Sequence, residues 1–197
     1  NTLNLMYITA TEALGYDHPL PLMILNTSSL IRYAIEPSKM VSFKTELAQT
    51  DIYLTILQQR YDQSLEIVHE IAADTLEAQV PRLFIQPIIE NAVFHGFSQQ
   101  RNSDCKLTIR SYRQPKLDSL ATEFVVIQVQ DNGNGISQEK LEELKKSLEQ
   151  ENNLSAKGIG LRNIIHRMNL IYSNKFSLNI ESTLGKGTCF TLTFPYY

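Results

Sequence analysis

Four short segments of this chain carry residue types and spacings that could do chemistry. The first is Asp131-Asn132-Gly133-Asn134-Gly135, placed directly after a stretch that alternates like a strand. A carboxylate at a strand end, followed by glycines, can face a ligand closely because no Cβ intervenes. Asp, Asn and Gly also dominate ordinary turns, so a plain turn stays open. A calcium loop does not fit. Counted from Asp131, the third and fifth positions are Gly133 and Gly135 and the sixth is Ile136 rather than Gly, although Glu142 stands at the twelfth.

The second segment, Lys157-Gly158-Ile159-Gly160-Leu161, opens a predicted helix. Glycines there expose backbone N–H groups at a positive helix end, which suits a polyphosphate. The G-K-[ST] ending of a Walker A loop and the third glycine of a dinucleotide fingerprint are both missing, so this G-x-G is weak alone. The third segment, Gly185-Lys186-Gly187-Thr188, is by default a hairpin turn. The fourth is Glu90-Asn91-Ala92-Val93-Phe94-His95, in which Asn91 and His95 stand four apart and share a helix face. An amide and an imidazole on an otherwise apolar helix are costly to bury without partners. Polar core residues satisfied internally are the plain alternative.

These segments need elements to hold them. From about residue 65 onward the pattern is mixed α/β. Leu65–Ile71, Lys106–Tyr112 and Glu123–Gln130 alternate as strands, the last running into Asp131. Two final strands, Lys175–Glu181 and Thr188–Phe194, flank the Gly185-Lys186-Gly187 turn. Pro81–Gly96 reads as a helix that Pro87 kinks or restarts. Ser137 is a plausible N-cap for a charged helix over Gln138–Gln150, and another helix runs from about Gly158 to Tyr172. Upstream, residues 1–63 show helical spacing: Leu3, Met6 and Ala10; Met23, Ile24, Ser28 and Ile31; and Leu47, Leu54 and Tyr61, widened by Ile56 and Leu57. Breaks fall at Gly15–Pro21 and Glu36–Lys39. This region reads either as a bundle covering its own core or as a helical hairpin that dimerises through a seven-residue seam.

The chain has 197 residues, 43% hydrophobic and 20% charged, with a net charge of −3. No run of Lys and Arg exceeds two residues, so no electrostatic footprint for nucleic acid or an anionic membrane surface is present. Cys105 and Cys189 lie far apart, which fits a reducing compartment and suggests neither a disulfide framework nor a zinc site. No apolar run approaches the ~20 residues that span a bilayer. The first residue is Asn1 rather than Met, and the chain reads as a fragment of something longer.

Taken together and in this order, the four segments resemble the N, G1, G2 and final glycine boxes of the GHKL ATPase/kinase superfamily, over residues 65–197. The resemblance implies the Bergerat fold, an α/β (α+β sandwich) architecture with helices on one face of a mixed sheet and ATP held between helices and a lid. By the same resemblance Asp131 accepts a hydrogen bond from the adenine amino group, and Asn91 binds Mg²⁺ through its amide oxygen. Gly133 and Gly135 let the adenine approach the backbone, Gly158 and Gly160, at the head of the helix that Leu161 continues, cradle phosphates, and Thr188, following Gly187, sits near the base. The twenty or so residues between Gly135 and Gly158, rich in Glu, Lys, Asn and Ser, read as the lid, low in apolar anchors and therefore mobile.

The upstream region looks like the LytS/YesM-type bacterial sensor kinases, on Asn1-Thr2-Leu3-Asn4, Arg32-Tyr33, Glu46-Leu47, Tyr53-Leu54 and Gln86-Pro87-Ile88-Ile89-Glu90-Asn91-Ala92. That implies a helical kinase and dimerisation region over 1–63 and an ATP-binding catalytic domain over 64–197. It further implies a homodimer on the cytoplasmic side of a bacterial inner membrane, with a response regulator's receiver domain as the phosphoryl destination. The family's phosphoacceptor histidine would fall just before Asn1, and none of His18, His69, His95 and His166 occupies its place. Phe94 stands where many relatives carry a phosphate-touching basic residue; His95 or Lys157 would have to supply that charge. Glu90 would polarise the acceptor imidazole. A hydrolytic GHKL ATPase, in which the residue matching Glu90 activates water, and a non-enzymatic dimerisation module with a degenerate pocket are the competing expectations.

Overall fold

The apolar spacing of the first sixty residues builds three helices. In the computed structural model, which describes residues 2–60, 64–97, 105–114, 123–149, 158–173 and 175–196, these are α1 (Thr2–Leu14), α2 (Pro19–Ile35) and α3 (Phe43–Arg60). α1 packs along α2, and α2 along α3. Two stripe positions differ from the sequence expectation. Met6 and Ile31 face outward, while Thr11 and Tyr33 are buried. The Thr11 hydroxyl is satisfied by the Tyr7 carbonyl at 2.8 Å, which is how a polar residue holds an inward place. Tyr61 lies outside the described residues.

α3 ties the helical region to the rest. Phe43, Glu46, Thr50, Leu54 and Leu57 form one buried row at helical spacing, and its hydrophobic members belong to the same core as the sheet. Just ahead of α3, the short strand β1 (Met40–Ser42) pairs antiparallel with β3 (Gln79–Pro81), in register Val41 to Val80. Three-residue strands are too short for alternation to reveal them in the sequence.

The main sheet has five strands in the order β2-β4-β5-β7-β6: β2 (Leu65–Ile71), β4 (Cys105–Gln114), β5 (Phe124–Asp131), β6 (Ser177–Thr183) and β7 (Gly187–Pro195). β2 and β4 run parallel and the other pairs antiparallel. The period of two sorts each strand. Leu107 and Ile109, then Val125, Ile127 and Val129, then Phe190, Leu192 and Phe194 are all buried. On the opposite face Lys106 pairs with Glu66 at 3.2 Å and Arg110 with Glu70 at 2.5 Å. One face is therefore covered and the other is polar, the mixed-sheet sandwich that the glycine boxes imply.

The covering helices are α4 (Gln86–Asn91), α5 (Gln138–Glu149) and α6 (Ile159–Tyr172). The single helix expected over Pro81–Gly96 is corrected. Pro81 closes β3, and Pro87 sits in the first turn of α4, where its missing N–H costs nothing. After Asn91 the winding widens to a π turn, Ala92–Gly96, closed by the Phe97 N–H to the Ala92 carbonyl at 3.1 Å. Such turns interrupt helices most often at functional sites. The lid expectation also changes for its first half. Leu141 of α5 is buried and Leu144 and Leu148 pack against the core, so residues 138–149 have an apolar anchor.

Candidate functional site

The alternation that buries one face of β5 continues to its last residue. Asp131 is in phase with Val125, Ile127 and Val129, so the strand delivers its carboxylate to the covered face, where Asp131 is 3% exposed. Thr188 occupies the matching place on β7, in phase with Phe190, Leu192 and Phe194. Two polar groups thus end two apolar rows. Burial pushes the Asp131 carboxyl up to about 6, only partly offset by N–H donors from Gly133, whose amide lies 2.8 Å from Oδ1, and from Thr188. The Thr188 hydroxyl lies 2.9 Å from the Ser182 hydroxyl, which donates to the Gly187 carbonyl at 2.9 Å and accepts from the Ile136 N–H at 2.8 Å.

Above this floor opens a cleft of about 800 Å³, within the range of small-molecule sites. Asn91 and His95 line it from α4 and the π turn, Asp131 and Thr188 from the sheet, Gly135 from the loop after β5, and Gly158 and Leu161 from the start of α6. The residues nominated from four separate segments therefore meet. Others do not face the cleft. The Glu90 carboxylate is held by Gln86 Nε2 at 2.9 Å and by the Tyr53 hydroxyl of α3 at 3.4 Å. Gly160 packs its open face on Pro87, where an added Cβ would lie 3.0 Å from the proline Cβ. Lys157 lies outside the described residues.

The glycines serve chain crossings. A Cβ on Gly135, at φ +63°, would lie 2.0 Å from the Thr183 carbonyl oxygen. One on Gly187, at φ +105°, would lie 2.0 Å from the Asp131 carbonyl oxygen. Neither conformation nor space admits a side chain. Gly133 likewise faces the Gly96 carbonyl, so the close approach that each of the three permits is to a neighbouring strand or turn.

Several lining residues escaped the sequence reading. Gly96 leaves room for Asp131, whose Oδ1 would be 3.0 Å from a Cβ there. Lys140, Leu144 and Ser147 line the cleft from α5 at helical spacing, and Lys140 brings a cation to it. Their four-then-three spacing was visible, but the charge around it read as a solvated lid. Phe94, by contrast, is exposed and does not line the cleft.

An adenine needs an acceptor for its amino group in a water-poor slot, and Asp131 is a buried acceptor that lines the cleft. A hard cation needs oxygen ligands, and Asn91, which lines the cleft from α4, carries an amide oxygen of that kind. The donor set fits a magnesium nucleotide.

Known proteins agree with this fold. The chain is 29% identical over 178 residues to the sensor protein LytS of Staphylococcus saprophyticus, a match covering 89% of this chain and 28% of that protein. It is 30% identical to the sensor histidine kinase/phosphatase LytS of Staphylococcus aureus, covering 88% and 28%. The chain thus spans little more than a quarter of the length of these relatives. Among solved structures it resembles the histidine kinase domain of the Erythrobacter litoralis EL346 blue-light activated histidine kinase, with TM-score 0.53, 15% identity, and coverage of 99% of this chain and 82% of that one. The mycobacterial sensor histidine kinase MprB gives TM-score 0.52 at 15% identity, covering 80% and 97%. At these identities the structural likeness speaks for the fold. A family profile described as histidine kinase-, DNA gyrase B-, and HSP90-like ATPase matches residues 78–197, more than half of the chain, and the chain belongs to that family.

Proposed function

We propose that the cleft binds Mg-ATP for phosphoryl transfer to a histidine, and from there to an aspartate of a response regulator's receiver domain. The observation that carries this reading is Asp131, a buried carboxylate at a strand end that lines the cleft opposite the Asn91 amide. Asp131 accepts from the adenine amino group, Asn91 offers its oxygen to the cation, and the N–H groups at the start of α6 from Gly158 onward face the phosphates. His95 and Lys140 add basic groups along the wall. Magnesium, when bound, neutralises phosphate charge as it transfers. Phosphoryl transfer asks mainly for positioning, and the fixed floor and short, anchored α4 supply it.

Glu90 favours the transferase reading over a hydrolytic one. Its Oε1 accepts from Gln86 of α4 and Tyr53 of α3, and Glu90 is not among the residues that line the cleft, where an attacking water would sit. It is instead placed to meet a group arriving from the helical region. Residues 1–63 supply the dimerising part of the parent kinase, and the exposed Leu5, Ile8, Leu22 and Leu25 of α1 and α2 support a homodimer through them.

Isothermal titration tests the site. Wild type is expected to bind Mg-ATP, and Asn91→Ala to weaken that binding by about tenfold or more while leaving Mg-free ADP unchanged, because one hard ligand is lost. No binding by wild type, or equal Mg-ATP affinities for the two, refutes the assignment. Phosphotransfer is tested on a chain extended upstream to carry an acceptor histidine, which is expected to yield acid-labile phosphate with ATP.

A further inference from the structure

Glu46 is 1% exposed, in the first turn of α3, well away from the cleft lining. A carboxylate so placed needs partners. It takes the Tyr33 hydroxyl of α2 at 2.6 Å and the Leu83 N–H at 3.0 Å, and the N–H groups of Phe84 and Ile85 also donate to it. Three successive amides converge on one anion, as in a backbone nest, and here the anion belongs to the protein. Leu83 adopts φ +56°, a left-handed conformation that leucine holds only when its surroundings impose it.

Those three amides lead straight into α4, whose N-cap residue Ile85 has no side-chain cap of its own. Glu46 supplies the cap from another helix. The neighbouring Arg82 lies over the Tyr33 ring at 4.4 Å, donates to the Tyr33 carbonyl at 2.9 Å and pairs with Glu36 at the end of α2. The Arg82 carbonyl in turn accepts from Arg167 of α6 at 2.8 Å. Four helices are therefore joined through residues 82–85.

We propose that the Tyr33–Glu46 hydrogen bond is a positioning contact for the nucleotide site, setting Asn91 from the end of α2 through the seat of α4. α4 begins at that seat and ends at Asn91, six residues on. Ile88 and Ile89 are fully buried along it, so a shift at the seat passes down the helix rather than dissipating in a loop. Asp131 hangs from β5, and α4 reaches it only beyond Asn91, where Gly96 at the end of the π turn packs against it. The contact therefore bears first on the metal half of the site and less on the adenine half. The inference rests on the Mg-ATP reading above, with Asn91 as the magnesium ligand.

Tyr33→Phe removes only the hydroxyl and keeps the ring under Arg82. It is expected to weaken Mg-ATP binding about three- to tenfold while Mg-free ADP stays within about twofold, a fraction of one lost hydrogen bond to a carboxylate. Glu46→Gln is expected to act in the same direction, and the double variant to be less than additive because the two share one contact. Equal Mg-ATP affinities for wild type and Tyr33→Phe, with only a lower melting temperature, assign the contact to stability and overturn the proposal; equal losses for both ligands do the same. If wild type binds no Mg-ATP, the nucleotide reading itself fails. Coupling is reciprocal, so amide exchange in wild type gives a readout independent of any variant. Mg-ATP is expected to slow exchange at Leu83, Phe84 and Ile85, and unchanged exchange there overturns the proposal.

Discussion

Asp131→Asn is expected to weaken nucleotide binding by about a hundredfold or more while making the protein more stable at neutral pH. The carboxylate is a pure acceptor, whereas asparagine would turn an N–H₂ toward the adenine amino group in a water-poor slot. Two facing donors leave buried hydrogen-bonding groups unmet, at about 1–3 kcal/mol each, and each ~1.4 kcal/mol is tenfold in affinity. Stability moves the other way because the folded state holds this group near 6 against an ordinary 3.8. A raised folded-state pKa means that the folded protein binds the proton more tightly. Wild-type stability from this group is complete below about 4 and is lost as pH rises through about 6. The full shift corresponds to about 3 kcal/mol, and the gain in the variant is smaller, about 1–2 kcal/mol, because the Gly133 and Thr188 amides lose a charged acceptor. Urea unfolding from pH 4 to 8 should show the variant's advantage growing up to about pH 6 and flat above it. Wild-type affinity for nucleotide should fall below about pH 6 as Asp131 takes up its proton, with no matching fall from this group in the variant. A wild-type stability curve parallel to that of the variant would show that Asp131 is not held in this environment.

How much of this was legible beforehand follows from range. The row Val125, Ile127, Val129 is local, so its alternation announced both the strand and the inward carboxylate at its end. The order of the four glycine and amide segments likewise survived folding, because each is complete within about six residues and the fold only brings them together. Long-range partnership left no such trace. Glu46 meets Tyr33 thirteen residues back and Leu83 thirty-seven ahead, and no spacing rule connects them. The same limit explains the glycines. Gly135 and Gly187 each had to meet something closely, but that the partners are the Thr183 and Asp131 backbones was not written locally. The late start of α4 is a different miss. The sequence leaves Pro87 as either a kink or a restart, and it is a first-turn residue; proline fits both, and only the fate of Pro81 in β3 decides. On α5, Leu141, Leu144 and Leu148 keep helical spacing, and the density of charge around them obscured a real anchoring face.

Gly187→Ala is expected to destabilise the protein by about 3–5 kcal/mol and to abolish nucleotide binding with it, placing it among the most damaging single-methyl changes available. Two costs combine. At φ +105° an alanine pays left-handed or worse backbone strain of about 1–3 kcal/mol. Its methyl would also lie 2.0 Å from the Asp131 carbonyl oxygen and 2.8 Å from the carbonyl carbon, distances that no non-bonded carbon adopts. β7 must then back away from the end of β5, and the ladder there is central, with β5 paired to β7 through Gln130 and Cys189. The atoms displaced belong to Asp131, the proposed adenine acceptor, so stability and binding are expected to fail together rather than separately. Gly185 provides the control within the same turn: it too has positive φ, at +77°, but nothing lies within 4 Å of an added Cβ. Gly185→Ala should therefore show the conformational cost alone, about 1 kcal/mol, with nucleotide affinity kept. Urea unfolding of both variants beside wild type separates strain from collision. If Gly187→Ala loses no more stability than Gly185→Ala, β7 does not cross the Asp131 backbone as described, and the floor of the cleft is built another way.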